Sequence, residues 1–374
     1  MRIERVRLHR VLLPLVHSFQ TSSHRKSSLE HILVELTDAS GLTGWGEIAS
    51  PSGPYYCSET TVTAQYVATE FLIPAVLGVQ WETPADLERT WAKIRGHRFA
   101  KAGFSIAAWD LFARAEDVPL ATALGGTRRS VVAGVSLGIE PTIPDLLEQV
   151  QAQVAAGYGR VKLKIAPGWD LEPVRAVRAA HPDLDLHVDA NGAYPDTDEA
   201  FEIMRSLDDQ RLTMIEQPFA PRAFAPHARL QAQLQTPICL DESVESIDDL
   251  QTMILTGAGR VLNIKVSRMG GLSVARAAHD LAREHGIPVW CGGMHEFGVG
   301  RAANVAISSL PGFTLPSDVS GSDKYYARDV ISPPVVAHDG IVQVPTAPGI
   351  GHHVDLDVIR AHTVELIDSH VALT

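Results

Sequence analysis

Cysteine is scarce in this 374-residue sequence: Cys57, Cys239 and Cys291 make an odd number, with no CxxC spacing. They can build neither a disulfide framework nor a zinc ribbon, and a reducing, cytoplasmic setting fits best. Basic runs are missing as well. Lysine plus arginine number 32 against 44 aspartate plus glutamate, a formal charge of -12, which argues against a phosphate backbone and therefore against nucleic acid as a partner. No apolar stretch reaches the roughly 18 residues of a membrane span, and Met1–Arg5 opens no signal-peptide core, so no membrane partner is expected. With 45% hydrophobic and 20% charged residues the chain reads as an ordinary globular protein. Its length suits one large domain and one small one.

What is present is a period. Short apolar runs recur about every 25 residues, each followed by a polar turn and an amphipathic stretch. They lie at Val131 to Ile139, Arg160 to Ile165, Leu184 to Ala190, Leu212 to Pro218, Thr236 to Glu242, Arg260 to Val266, Ile287 to Gly293 and Phe313 to Asp318. Between them, Leu171 to Ala180, Glu199 to Leu207, Ile247 to Leu255 and Leu272 to His285 carry helical spacing behind plausible caps. Eight strand–helix units predict an α/β fold with a parallel (β/α)8, TIM-type barrel over residues 126–318. An open doubly wound sheet is the weaker alternative, because no GxGxxG follows the first strand. Residues 1–125 read as a smaller α+β capping domain. Its strands are Ile3 to Leu13, Ile32 to Leu36 and Trp45 to Glu47, and its helices Thr61 to Leu77, Pro84 to Ile94 and Ala100 to Ala115. Residues 319–374, rich in proline and glycine, are expected to return and pack on that domain.

Active sites of such barrels sit at the C-terminal strand ends, and these ends carry an ordered series. Lys162 and Lys164 close the second strand, Asp189 and Asn191 the third, Glu216 the fourth, Asp241 the fifth, and Asn263 and Lys265 the sixth. From Lys164 through Asp189, Glu216 and Asp241 to Lys265 the steps are 25, 27, 25 and 24, which is the repeat itself, so each charge holds an equivalent place. Three carboxylates converging in the mouth repel one another unless a cation neutralises them. Oxygen ligands with open positions suit Mg2+, with Mn2+ or another divalent ion as substitutes. The chain has 25 arginines and only seven lysines, yet three of the seven fall on these two strands. Unlike arginine, lysine can lose its proton and act as a base. Two such bases flanking a metal suggest proton abstraction next to the carboxylate of a small substrate. A single strand-end charge is usually a solvated turn residue; five in register are not.

These residues resemble the enolase superfamily, in particular its muconate-lactonizing-like subgroup with the N-acylamino acid racemases and o-succinylbenzoate synthases. The resemblance spans nearly the whole chain and rests on Val161–Lys164, Pro167–Asp170, Asp189–Asn191, Ile215–Pro218, Cys239–Ser243, Asn263–Lys265 and Trp290–Met294. It implies that Asp189, Glu216 and Asp241 bind Mg2+, that Lys164 and Lys265 are acid/base residues on opposite faces of the substrate α-carbon, and that Lys162 orients its carboxylate. It further implies substrate contacts from Ser136, Asn191, Asn263, Gly292, Met294 and Asp318, and a pocket wall from the capping-domain loops Phe19 to Ser23 and Gly53 to Tyr56, including Phe19, Tyr55 and Tyr56. A homo-oligomer is also implied. The activity implied is racemisation of N-acyl (N-succinyl) amino acids, syn-dehydration to o-succinylbenzoate, or both. After Gly293–Met294 the family usually has an aliphatic residue, Glu, then Ser or Thr, whereas here stand His295, Glu296 and Phe297. His295 and Phe297 are therefore expected to reshape the pocket.

Other readings weigh less. Muconate cycloisomerase and dipeptide epimerase would use the same lysines, the latter needing an acidic anchor for which Asp318 is the candidate. A barrel that binds metal and ligand without turnover is the competing class, and intact Lys164 and Lys265 argue against it. Gly134–Gly138 matches GxSxG, but on a barrel strand rather than a nucleophile elbow. His187 shares the parity of Asp189 and reads as a hydrogen-bonded core histidine.

Overall fold

The computed structural model describes residues 1–20 and 25–371, without the side chains of residues 17–20 and 25–26. Three antiparallel strands open the chain: β1 (Ile3–Gln20), β2 (Arg25–Asp38) and β3 (Thr43–Ile48). The last strand of the chain, Thr363–His370, pairs with β1 and completes the sheet. Alternation places Val6, Leu8, Ile32, Val34, Leu36 and Ile48 on one buried face. The helix Arg98–Ala115 lies on that face. Its close approach explains Gly44 and Gly46 of β3: a Cβ on Gly46 would stand 1.9 Å from the Gly103 carbonyl oxygen. Thirteen of the helix's 18 residues are buried, because its other side packs on the barrel through Ile106, Trp109 and Ala113. Such a helix has no polar face to show a periodicity.

Next come β4 (Ser130–Val132) and the barrel strands β5 (Val135–Leu137), β6 (Arg160–Lys164), β7 (Asp185–Asp189), β8 (Met214–Glu216), β9 (Ile238–Leu240), β10 (Val261–Ile264) and β11 (Val289–Cys291). From β5 to β11 they form one parallel sheet in sequence order. Both strand faces are covered, so the runs are apolar rather than alternating. Capped amphipathic helices connect them. Thr197 accepts from the Ala200 N–H, and Ser246 from the Asp249 N–H, at the starts of the helices Asp198–Asp208 and Ile247–Thr256.

Two differences from the sequence reading have local causes. The run expected from Val131 to Ile139 is two strands, since β4 leaves the barrel to pair with Ile341–Gln343. The break falls at Gly134, where a Cβ would meet the Arg160 guanidinium at 2.1 Å. The expected eighth strand, Phe313 to Asp318, makes only single parallel bridges, Phe313 to Val289 and Ser317 to Ala133. Those bridges nevertheless join the two edges of the sheet. Pro311, Gly312 and Pro316 interrupt a continuous ladder there.

Candidate active site

In a ring of seven strands and one closing segment, β6 and β10 are four places apart and therefore face each other across the mouth. Lys164 ends β6 and Lys265 directly follows β10; both line a cavity of about 540 Å³. Between them, from β7, β8 and the end of β9, come Asp189, Glu216 and Asp241, all buried. The strand ends are tied to one another. Gln217, buried and held at φ 41°, accepts through its side-chain oxygen from the N–H groups of Asp241 (3.0 Å) and Ser243 (3.2 Å). Asn191, at φ 45°, donates its own N–H to Asp189 (2.9 Å) and its side-chain amide to Glu242 (2.8 Å). A fixed side-chain acceptor offsets the backbone strain at each position.

Lysines thread this carboxylate group. Lys164 Nζ donates to Asp189 (2.6 Å) and Asn191 (2.6 Å), Lys162 Nζ lies 3.0 Å from Glu216, 3.1 Å from Asp318 and 3.5 Å from Asp189, and Lys265 Nζ lies 2.8 Å from Asp241. Arg268 also donates to Asp241, and Arg160 to Asp318 at 2.8 Å. Burial works against charge on Lys162 and Lys265, but the carboxylates around them outweigh it and hold both ammonium groups above their ordinary values. Asp241 is correspondingly low: burial would raise it, and Lys265 and Arg268 prevail. Glu242 is pushed up to about 8, first by burial and then by Asp241 and Asp189.

The residues expected at the site divide into three groups. Ser136, Lys162, Lys164, Asn191, Tyr55, Lys265, Met294, His295 and Asp318 line the cavity. Tyr55 stands at the rim, 71% exposed, while Tyr56 reaches inward to donate to Asp241 at 3.0 Å and carries Lys265 Nζ 4.7 Å over its ring. Asn263 and Gly292 lie behind the lining, Asn263 donating to Glu216 at 2.6 Å. A Cβ on Gly292 would stand 2.3 Å from the Asn263 side chain, so only glycine lets that amide through. Phe297 corrects the sequence reading: it is fully buried outside the cavity, 4.7 Å from the His31 ring and 5.3 Å from Tyr326. The chain turns between it and the wall, with His295 in the left-handed region at φ 60°. The Phe19 side chain and residues 21–23 lie outside the described residues.

Asp318 accepts from Ser136 (3.1 Å) and contacts both Arg160 and Lys162. Burial would raise it, but those two cations hold it well below the carboxylate range. It is thus already paired. His187 does face the barrel interior, edge-on to Trp290 at 5.3 Å, with Nε2 3.1 Å from Glu216 Oε2. Burial, with Lys162 and Arg160, keeps it neutral. Reading strand ends alone passed over Arg160, at the start of β6, and Arg268, one helical turn beyond Lys265.

Among the described residues no three His, Cys, Asp or Glu side chains stand together as a ready metal-holding group; Lys162 lies against both Asp189 and Glu216. The donor chemistry still suits a hard dication. Oε2 of Glu242 is buried and accepts no hydrogen bond from the described residues, while Oδ2 of Asp241 has only the ammonium of Lys265, at 2.8 Å, beside it. Lys162, Lys164, Lys265 and Arg268 are the cations in contact with Asp189, Glu216 and Asp241, and a lysine that gives up its proton to act as base withdraws one of those positive charges. A divalent ion held by Asp189, Glu216 and Asp241 would replace the positive charge so lost.

Comparison with known proteins agrees over most of the length. Residues 3–125 match the mandelate racemase / muconate lactonizing enzyme N-terminal domain, and residues 145–358 match the enolase C-terminal domain-like family. An o-succinylbenzoate synthase of Geobacillus kaustophilus is 46% identical, covering 96% of each chain. An N-succinylamino acid racemase of Amycolatopsis sp is 47% identical over 94% of this chain and 95% of its own. An enolase-superfamily protein of Listeria innocua, known by crystal structure, superposes with a TM-score of 0.96 at 38% identity, covering 99% of both chains. Among the described residues no helix is long and apolar enough to cross a membrane.

Proposed function

The chain belongs to the mandelate racemase / muconate lactonizing enzyme family of the enolase superfamily, whose members are generally dependent on a divalent metal, and from that premise we propose that it removes the proton α to the carboxylate of a small acid. The substrates are an N-acyl, in particular N-succinyl, amino acid, which it racemises, the precursor that it dehydrates to o-succinylbenzoate, or both. The observation that carries this is the placement of Lys164 and Lys265 across one cavity, with Asp189, Glu216 and Asp241 on the three intervening strands. Mg2+, or Mn2+ in its place, held by those three carboxylates would offset the negative charge that develops on the substrate carboxylate.

The protein's own groups do the rest. Lys162, kept charged by its three carboxylates, offers a fixed cation to the substrate carboxylate at the cavity floor. In racemisation one lysine takes the α-proton, the C–H electron pair passes into the enolate, and the other lysine returns a proton to the opposite face. In syn-dehydration Lys164 takes the proton and delivers it to the departing hydroxyl as water leaves, while Lys265 stays protonated. Tyr56, Met294 and Tyr325 close the sides against bulk solvent. A dipeptide epimerase is disfavoured, since Asp318 is neutralised by Arg160 and Lys162 and offers no free anchor to a peptide ammonium. The three free thiols support a cytoplasmic setting.

Proton NMR in D2O with Mg2+, over N-succinyl and N-acetyl amino acids and the o-succinylbenzoate precursor, tests the proposal. Exchange of the α-proton with loss of optical activity identifies the racemase, and dehydration alone the synthase. Substrates that keep their α-protons across the panel, with Mg2+ saturating, would overturn it.

A further inference from the structure

The helix Gly298–Ser308 is buried at every residue, and its N-cap, Phe297, has no side-chain oxygen to offer the first-turn N–H groups. Two distant carboxylates take them instead. Glu47 of β3, fully buried, accepts from the Phe297 N–H through Oε1 and from the Gly300 N–H through Oε2, each at 2.8 Å. Asp329 accepts from the Gly298 N–H at 2.7 Å. The local sequence is shaped to admit them: a Cβ on Gly300 would stand 2.9 Å from Glu47 Oε2, and one on Gly298 2.9 Å from Asp329 Oδ1. His31 Nδ1 lies 2.7 Å from Glu47 Oε1 and its ring packs on Phe297, so Glu47 is braced from β2 as well.

Directly before this helix, Gly293, Met294, His295 and Glu296 line the cavity. That four-residue wall spans from the end of β11 to the pinned amides. Its turn passes through His295 at φ 60°, whose carbonyl accepts from the Tyr326 hydroxyl at 2.5 Å. Few degrees of freedom remain between Glu47 and the wall. We infer that Glu47 is a positioning residue for the substrate cavity: by holding the start of the helix Gly298–Ser308 against the N-terminal sheet, it sets where the wall Gly293–Glu296 stands. It touches no lysine or carboxylate of the candidate catalytic group. Its loss therefore loosens the fit of the substrate and leaves proton transfer in bound substrate alone.

Glu47→Gln is nearly isosteric but replaces one acceptor by an NH2, which must face a backbone N–H; Glu47→Asp keeps both carboxyl oxygens and withdraws them by one methylene. Hydrogen–deuterium exchange by mass spectrometry on the whole protein should show amides 293–300 exchanging at least 10-fold faster in the Gln variant, with the strands of the parallel sheet unchanged. The Asp variant should fall between. For any substrate turned over, KM should rise about 10-fold with kcat within 2-fold of wild type. Exchange across 293–300 equal to wild type in either folded variant, or faster equally throughout the chain, overturns the inference, as does a fall in kcat with KM unchanged. The inference rests on the proposed reaction only for the kinetic arm. A protein that turns over nothing defeats that reaction, while the exchange arm still decides the role of Glu47.

Discussion

His227 should make this protein lose stability in mild acid. It lies on the helix Phe224–Gln231 with none of its surface exposed. Nδ1 donates to the Ala223 carbonyl at 2.7 Å, and Nε2 accepts the Phe219 N–H at 3.2 Å. The ring is therefore the neutral tautomer with its proton on Nδ1, and a second proton would displace the Phe219 amide. Burial lowers its pKa from 6.5 to about 4, against a smaller opposing effect of the Ala223 carbonyl. Since the folded value is the depressed one, the unfolded chain binds more protons between those limits, and stability rises with pH there. The contribution is complete above pH 6.5, falls as pH drops towards 4, and changes little below. At about 1.4 kcal/mol per pH unit the full loss is about 3 kcal/mol, of which about 2 kcal/mol appears between pH 7 and pH 5. Urea unfolding of wild type and His227→Gln at pH 7, 6 and 5 isolates this one group, because the other titrating groups are common to both. The gap between the two proteins should narrow by about 2 kcal/mol on going to pH 5. A gap constant to within about 0.5 kcal/mol would refute the linkage.

Lys164→Ala and Lys265→Ala should each lower racemisation by about 10²–10⁴-fold, the ordinary contribution of a positioned acid or base; polarimetry with D2O exchange will show whether one variant still exchanges from a single face. Asp110 is fully buried and accepts from the N–H groups of Trp45 (2.8 Å) and Ile350 (2.7 Å) and from Arg114 (2.9 Å). Asp110→Ala should cost about 3–5 kcal/mol by stranding these donors, read by denaturant unfolding; a cost below about 1 kcal/mol would contradict the contacts. Gly46→Ala forces a methyl against the Gly103 carbonyl and should destabilise by at least about 1–3 kcal/mol, seen as a lower thermal midpoint, whereas an unchanged midpoint would mean that the helix can retreat at no cost.

The barrel and its order of charges are legible in the chain because a repeat of about 25 residues returns each strand end to the same place in the ring. Once strands are counted, Lys164, Asp189, Glu216, Asp241 and Lys265 fall at successive ends, and the four-place separation of β6 from β10 sets the lysines face to face. These are consequences of local periodicity and ring closure. Contacts between elements far apart in sequence leave no such trace. Nothing near Tyr56 announces that its hydroxyl reaches Asp241, nor does any spacing join Glu47 to an amide 250 residues on. Phe297 and His295 look equivalent as neighbours of a motif, yet a left-handed turn puts one ring in the wall and the other in the core. Asp318 reads as a free carboxylate until folding brings Arg160 and Lys162 onto it. Sequence by itself determined which chemistry is carried and in what circular order, since covalent spacing and strand period suffice for both. Only tertiary structure decided which charges are already paired, which side chains wall the cavity and what holds that wall, because those depend on distances that close only when the sheet, the barrel and the tail pack together.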